Sequence, residues 1–465
     1  MSQSVFRKAL SLSNAEFQRV LMCLQENPSF VFLDSANSSS ENKGFSLCVW
    51  SPAVLLKTFG DVTQITKPDG NVTTSNEDPL TLIEQSLQAH NLKFDSSLPF
   101  SGGAVGFWGY ELGGHFEPLP KPKPHDITIP DMAVGIYLSG LVINHENGKI
   151  NYFSQSLQPE DDYQTLLTII DNRQFEQIPS QSPNKVFALT NAWQSNMTFL
   201  DYQTKFNAIQ AYLQSGDCYQ VNLAQRFCAD YTGSEWQAYL KLREQNKAPF
   251  SSFMRLEEGA ILSVSPERFL QVTNKLVETK PIKGTRPRGK SISEDKSLAN
   301  ELFNATKDRA ENLMIVDLLR NDIAKVSKAG SVKVPKLFDI ESYPAVHHLV
   351  STVTSELKHN ASSIDLLRGA FPGGSITGAP KIRAMEVIHE LEPHPRSAYC
   401  GSIGYIKPNG DMDTNITIRT LVCSNNRIYC WAGGGLVADS KCEDEYQETL
   451  DKVNKILPTL TEMTG

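Results

Sequence analysis

Apolar residues in this chain occur either as short unbroken runs or as single positions at regular spacing, and the two arrangements predict different elements. Phe30-Val-Phe-Leu reads as a buried strand, and the polar stretch from Asp34 to Gly44 is turn material leading to a second strand, Phe45-Ser-Leu-Cys-Val-Trp. Met132-Ala-Val-Gly-Ile-Tyr, Gly140-Leu-Val-Ile-Asn and Ile150-Asn-Tyr-Phe predict paired strands with a turn at Asn147-Gly148. Phe100-Ser-Gly-Gly-Ala-Val-Gly-Phe-Trp-Gly-Tyr lacks the spacing and setting of a dinucleotide fingerprint, so it reads as tight packing between strands. Pro118-Leu-Pro-Lys-Pro-Lys-Pro reads as an extended loop. Residues from about 155 to 195 are polar and weakly patterned, which sets the expected division: an N-terminal region 1–175, a linker 176–195 and a C-terminal region 196–460.

Beyond Thr198 the periodicity sharpens. Tyr202, Phe206, Ile209 and Leu213 share one helical face, and Gly216 ends that helix. Cys218-Tyr-Gln-Val-Asn-Leu-Ala-Gln-Arg-Phe alternates, with Tyr219, Val221 and Leu223 on one side and Gln220, Asn222 and Ala224 on the other. The polar side either lines a site or is a solvated sheet face. Two later helices carry carboxylates three residues apart, Asp308 with Glu311 and Glu445 with Glu448, and Lys452 follows one turn after the second pair. Acidic helix faces are usually just solvated, but two such pairs would suit a hard cation such as Mg²⁺ better than zinc.

Composition narrows the class. The 465 residues are 40% apolar and 21% charged with a net charge of −8, an ordinary globular composition that disfavours nucleic acid as the main partner. The eight cysteines are scattered without a Cys-x-x-Cys pair, so neither a zinc site nor a disulfide framework is expected. His389 and His394 are one residue too far apart for the His-Glu-x-x-His zinc motif. No apolar run reaches membrane-span length, and Met-Ser-Gln-Ser-Val-Phe-Arg-Lys has no signal-type apolar core, so a cytoplasmic enzyme with reduced thiols is expected.

Candidate chemistry centres on Ser265-Pro-Glu-Arg-Phe-Leu through Lys280-Pro-Ile-Lys-Gly-Thr-Arg. Glu267 follows a proline at the start of an apolar strand, and a carboxyl in a closed site can stay protonated as a general acid. Lys283 precedes Gly284, and a lysine among apolar groups and other cations can lose its proton and become a nucleophile. Each residue alone also reads as ordinary surface or strand-end structure. Phe371-Pro-Gly-Gly-Ser-Ile-Thr-Gly-Ala-Pro-Lys adds a loop in which Gly373 and Gly374 permit close backbone approach and Pro380 suits the first position of a helix facing an anion. Trp431-Ala-Gly-Gly-Gly-Leu-Val supplies a short strand with a second glycine-rich turn, and Arg419 in an otherwise apolar strand would need an anion.

Residues 196–458 resemble the chorismate-utilising enzymes, which include anthranilate synthase component I and the isochorismate and salicylate synthases. The resemblance rests on Gly216-Asp-Cys-Tyr-Gln-Val-Asn-Leu-Ala-Gln-Arg-Phe, Ser265-Pro-Glu-Arg-Phe, Glu311-Asn-Leu-Met-Ile-Val-Asp-Leu, Pro372-Gly-Gly-Ser-Ile-Thr-Gly-Ala-Pro-Lys and Ala432-Gly-Gly-Gly-Leu-Val, in the family's order. It implies an α+β fold, an antiparallel β-sandwich core of two sheets flanked by helices, with both regions packed as one globule. Where anthranilate synthases resemble Pro-Ile-Ala-Gly-Thr this chain has Pro281-Ile-Lys-Gly-Thr, and lysine there is similar to the members that aminate C4 of chorismate. Gln220 replaces the lysine base of members that add water at C2.

The resemblance further implies Mg²⁺ between Glu311 and Glu448, supported by Asp308 and Glu445, and holding the ring carboxylate. Glu267 would protonate the departing C4 hydroxyl while Lys283 attacks C2; ammonia would then add at C4 and expel the lysine, giving 4-amino-4-deoxychorismate for p-aminobenzoate and folate synthesis. Tyr399, Arg419, Gly433 and Gly434 would hold the enolpyruvyl carboxylate, and His348, Ser375 and Lys452 would orient ring and carboxylate groups beside Gln220. No Gly-x-Cys-x-Gly elbow occurs, so ammonia would come from a glutamine amidotransferase subunit. The N-terminal region resembles that of anthranilate synthase component I, and Ser35, Pro249, Phe250 and Ser251 match its L-tryptophan pocket, although Asn42-Lys-Gly-Phe lacks an arginine of that pattern. The rival readings are anthranilate synthase component I, which eliminates pyruvate, and a non-catalytic tryptophan-binding or scaffold protein.

Overall fold

The computed structural model describes residues 4–35, 44–171, 186–343 and 346–464. The expected linker therefore lies partly outside the described residues, as do Asn42 and Lys43 of the tryptophan-pocket loop. Within them the chain forms two antiparallel sheets, of thirteen and twelve strands, with helices packed around them. No described helix is long and apolar enough to cross a membrane.

The first sheet runs from Phe6–Leu10 through Ile150–Ser154, Ser139–Asn144, Phe45–Val49 and Val31–Asp34 to Phe250–Leu256, Gly259–Ser265, Thr420–Ser424, Arg427–Leu436 and Gln220–Thr232. The second runs from Ile282–Pro287 and Val346–Glu356 through Leu276–Thr279, Arg268–Thr273, Met412–Asn415 and Ser402–Ile406 to Gly103–Trp108, Met132–Tyr137 and Val54–Phe59, ending in a short meander. Both sheets join early and late parts of the chain: Val31 pairs with Met254 in one and Trp108 with Ser402 in the other.

The apolar runs follow from burial on both faces. Along the first sheet Val31, Val49, Val142, Met254, Ile261, Val422 and Trp431 enter the core between the sheets. Their neighbours Phe32, Cys48, Leu141, Phe253, Leu262, Cys423 and Cys430 enter a second core under the helices Asn14–Leu24, Glu235–Asn246 and Leu457–Thr461. A strand has side-chain period two, so one covered on both sides carries apolar residues at every position.

Two expectations are corrected here. Ile150–Ser154 does pair with Ser139–Asn144, around a turn in which Gly148 has φ +68°. Met132–Tyr137, however, pairs with Gly103–Trp108 and Val54–Phe59 in the other sheet, because the chain passes between layers at Leu138. The weakly patterned stretch after residue 155 holds a helix, Pro159–Asp171, in which only Leu166 is fully buried, leaving little periodic signal. The helix Phe199–Gln214 buries Tyr202, Phe206, Ile209 and Leu213 as expected, and Gly216 follows it at φ +81°.

Candidate active site

Two β-bulges aim the candidate acid and nucleophile. Ile282 pairs with Val350 and Thr285 with His348, so Lys283 and Gly284 carry one residue more than the opposing strand can match. A bulge of this kind bends a strand and redirects a side chain. Gly284 takes φ +81°, and a Cβ there would lie 2.8 Å from Cγ of Asp308. Glycine is required by both conformation and space. A similar slip separates Arg268, paired with Asn415, from Leu270, paired with Thr414, just beyond Glu267.

Ser375 joins the two residues. Its hydroxyl donates to Oε1 of Glu267 at 2.9 Å, and its carbonyl accepts from Nζ of Lys283 at 3.3 Å. Burial pushes the Glu267 carboxyl up to about 7, against the Ser375 hydrogen bond and the nearby Lys283 and Lys452 charges. Lys283 keeps some surface open to the cleft, yet the protein packed around it lowers its ammonium below the usual lysine range. Glu311 opposes that lowering and Lys452 adds to it. The acid is thus biased toward its protonated form and the amine toward its neutral form.

The loop bearing Ser375 is clamped at its base. Nζ of Lys381 donates to the carbonyls of Ala370 (2.9 Å) and Pro372 (3.3 Å) and lies 2.6 Å from Oδ2 of Asp322. Pro380 takes the N-cap position of the helix Lys381–Leu391, one residue before the expected place. The preceding Gly378–Ala379 pairs with Gln220–Val221, stitching the loop to the strand that carries Gln220. Gln220 is fully buried; its Nε2 donates to Oδ1 of Asn222 at 3.1 Å, and its Oε1 has no hydrogen-bond partner among the described residues.

Carboxylates from two helices meet over this centre. Thr306–Ala324 presents Lys307 and Glu311, and Cys442–Val453 presents Glu445, Glu448 and Lys452. Burial raises Glu311, and Glu445 and Glu448 raise it further against Lys283 and Lys307. Burial is the largest influence on Glu448 and acts upward, but Lys452 at 2.7 Å, Lys283 and Lys307 together outweigh it and the carboxyl is lowered. Lys307 bridges Glu445 (3.4 Å) and Glu311 (4.0 Å). Among the described residues no three such groups form a ready-made metal cage. The oxygen-only donors and their mutual repulsion nonetheless fit a hard divalent cation. Asp308 turns aside to Arg286 at 3.4 Å while lying against Gly284.

The remaining candidates surround the same space. Ala432 to Leu436 continues the strand Arg427–Leu436, which corrects the expected glycine-rich turn. The glycines serve close packing instead, since a Cβ on Gly434 would lie 3.1 Å from Oε2 of Glu445 and 3.5 Å from Oε1 of Glu448. Lys452 donates to the Gly433 carbonyl at 2.8 Å. Arg419 precedes the strand Thr420–Ser424, at φ +52°, rather than lying within an apolar strand. No carboxylate among the described residues lies within 4.0 Å of its guanidinium, and burial lowers its pKa. Burial brings the adjacent His348 down to about 4, helped by the Arg419 charge, so the ring is neutral, with Nδ1 2.9 Å from the Thr285 hydroxyl. Tyr399 stacks on Trp431 with centroids 6.1 Å apart.

Residues 30–458 match the family described as chorismate binding enzyme. The chain belongs to this family. Aminodeoxychorismate synthase component 1 of Escherichia coli (strain K12) is 52% identical over 439 residues, covering 94% of each chain. Anthranilate synthase component 1 of Lactococcus lactis is 34% identical, covering 92% of this chain and 93% of its own. The crystal structure of anthranilate synthase component I from Streptococcus pneumoniae TIGR4 superposes with a TM-score of 0.77 at 33% identity, covering 90% of this chain and 93% of that one. The two-sheet α+β architecture is the family's fold.

Ser35, Pro249, Phe250 and Ser251 line a separate cavity of about 710 Å³, together with Asp34, Arg268, Tyr343 and Tyr405. Pro266, Arg268 and Ile282 also border it, and their strand neighbours Glu267 and Lys283 do not. Alternation therefore places this cavity on the opposite face of those strands from Glu267 and Lys283. Two residues of this family member escaped sequence reasoning, Arg396 and Glu392, which form a buried ion pair at 2.7 Å beside the site. They fall between the recognisable motifs, and the only signal was an arginine in a His-Pro-Arg segment.

Proposed function

We propose that this chain aminates chorismate at C4, with Lys283 as nucleophile and Glu267 as acid. The observation that carries the reading is the pairing of a raised carboxyl and a lowered ammonium on the two sides of Ser375. The neutral amine of Lys283 forms a bond to C2, the two conjugated ring double bonds each shift by one position, and the C4–O bond breaks as Glu267 gives its proton to the departing hydroxyl, which leaves as water. Ammonia then bonds to C4, both double bonds shift back, and the C2–N bond to Lys283 breaks. The proton lost by ammonia returns to Glu267. An amine nucleophile in this way divides one hard displacement into two allylic ones.

Glu311 and Glu448, with Glu445 and Asp308 beside them, would hold Mg²⁺. When bound, the ion neutralises the ring carboxylate of the dianionic substrate. Arg419, unpaired by any described carboxylate, receives the enolpyruvyl carboxylate with Tyr399 and the Gly433–Gly434 backbone. Gln220, His348, Ser375 and Lys452 orient the ring. A glutamine amidotransferase subunit supplies ammonia in the cytoplasm; the component-1 names of the relatives support the existence of a further subunit. The cavity bordered by Ser35, Pro249, Phe250 and Ser251 takes an amino acid, L-tryptophan in this reading.

The test incubates purified chain with chorismate, Mg²⁺ and an ammonium salt at alkaline pH and identifies products by chromatography and mass. Aminodeoxychorismate without pyruvate is expected, and Lys283→Ala abolishes it. Anthranilate with pyruvate would overturn the assignment, and unchanged turnover by Lys283→Ala would overturn the covalent route.

A further inference from the structure

Arg396 is among the largest fully buried side chains of the molecule, at 1% exposure. Its Nε donates to Oε2 of Glu392 at 2.9 Å, and its Nη2 donates to Oε1 of Glu392 at 2.7 Å. Two further donors go to backbone that carries the site. Nη1 reaches the carbonyl of Ile376 at 3.0 Å, next in the chain to Ser375. Nη2 also reaches the carbonyl of Asn222 at 3.2 Å, two residues from Gln220. The guanidinium lies 4.8 Å from the Tyr110 ring centroid and 5.7 Å from that of Tyr399. Glu392 extends the clamp, since its Oε1 accepts from the Ala224 amide at 2.8 Å. The backbone on either side of Arg396 is held as well: the amides of Arg396 and Ser397 donate to the Glu111 carboxylate at 2.7 and 2.8 Å.

A buried ion pair is a poor device for stability alone, because desolvation offsets most of its attraction. A planar fork that meets a carboxylate on one side and two carbonyls on the other fixes geometry instead. We propose that Arg396, held by Glu392, is a positioning residue for the amination: it sets the loop of Ser375 against the strand of Gln220, so that Ser375 faces Glu267 and Lys283 together. The inference rests on the amination reading above, and Arg396 itself touches no substrate atom.

The test is a double variant, Glu392→Gln with Arg396→Met, in the full-length chain. Both buried charges go together, so neither is left unpaired, and the introduced glutamine keeps an acceptor for the Ala224 amide. The variant is expected to stay folded while kcat falls about 10- to 100-fold with a smaller change in KM, the size a misplacement of about 1 Å produces. The Ser375 hydrogen bond holds the Glu267 carboxyl down, so its loss moves the high-pH limb of the kcat profile upward. Combined with Ser375→Ala, the losses are expected to be less than multiplicative, because both act through one contact. Amide exchange followed by mass spectrometry is expected to quicken in residues 374–379 and 220–224 alone. Kinetics within twofold of wild type, an unmoved pH limb, or unchanged exchange in those segments would overturn the proposal. Should the double variant not fold, Arg396→Lys carries the same expectations, since one ammonium cannot reach both carbonyls. Should the wild type itself fail to aminate chorismate, the functional reading falls, and the exchange experiment alone decides the positioning role.

Discussion

Glu267→Gln should abolish most activity and yet make the protein more stable, by an amount that depends on pH. Glu267 is 6% exposed, and burial raises its carboxyl from the ordinary 4.5 to about 7. A group whose folded pKa is raised binds its proton more tightly in the folded chain than in the unfolded one. Below pH 4.5 it is protonated in both states and costs nothing. Between 4.5 and about 7 the unfolded chain ionises first, and stability falls as pH rises; above about 7 the folded chain bears the whole penalty. A displacement of roughly 2.5 pH units corresponds to about 3 kcal/mol. Glutamine is neutral throughout and can still bond to the Ser375 hydroxyl, so it is free of that penalty. For 465 residues the unfolding entropy is about 1 kcal/mol/K, which makes the expected gain about 3 °C in Tm at pH 8 and near zero at pH 4.5. Scanning calorimetry of both proteins across that range measures it, and turnover by the variant is expected to fall about 10²- to 10⁴-fold through loss of the acid. A stability difference that is flat with pH, or that favours the wild type as pH rises, would mean that Glu267 is already ionised at neutrality and is not the acid.

Other substitutions probe other parts of the argument. Arg419→Met should raise KM for chorismate about 10- to 100-fold, the share of one charge-assisted pair, with little loss of Tm, because no described carboxylate loses a partner; steady-state kinetics decide it. Lys381→Met leaves the carboxylate of Asp322, 1% exposed, with Lys325 at 3.2 Å as its one remaining cation among the described residues, and should destabilise by up to about 3–5 kcal/mol in denaturant unfolding. Glu311→Gln should weaken the Mg²⁺ dependence of turnover and chorismate binding together, read from titrations of activity against the metal. Gly434→Ala places a methyl group 3.1 Å from Oε2 of Glu445, so it should lower activity and shift that same metal dependence while Tm changes by no more than a few degrees.

Much of this protein was legible in its sequence because spacing within one element fixes geometry. The helix face of Tyr202, Phe206, Ile209 and Leu213, the paired carboxylates at three-residue intervals and the alternation of Gln220 with Val221 all follow from periods of 3.6 and 2. Glycine was equally informative where it stood beside Lys283, since the bulge there needs φ +81°. Tertiary structure decided what those periods cannot encode. Apolar strands such as Met132–Tyr137 and Ser139–Asn144 carry no mark of the sheet they join, because each is buried against whichever layer the long-range pairing supplies. The glycines 433–435 looked like a turn and are a strand, in which a Cβ on Gly434 would crowd the carboxylates of another helix and one on Gly433 or Gly435 would crowd the neighbouring strand. The clamp of Arg396 was invisible for the same reason: its carbonyl partners are 20 and 174 residues away, and only the closed fold brings three separate segments to one guanidinium. Sequence thus determined which groups are present and which share a face. The packing of the two sheets and their helices determined which pKa values shift and which groups meet, because burial and distance arise only when the core closes.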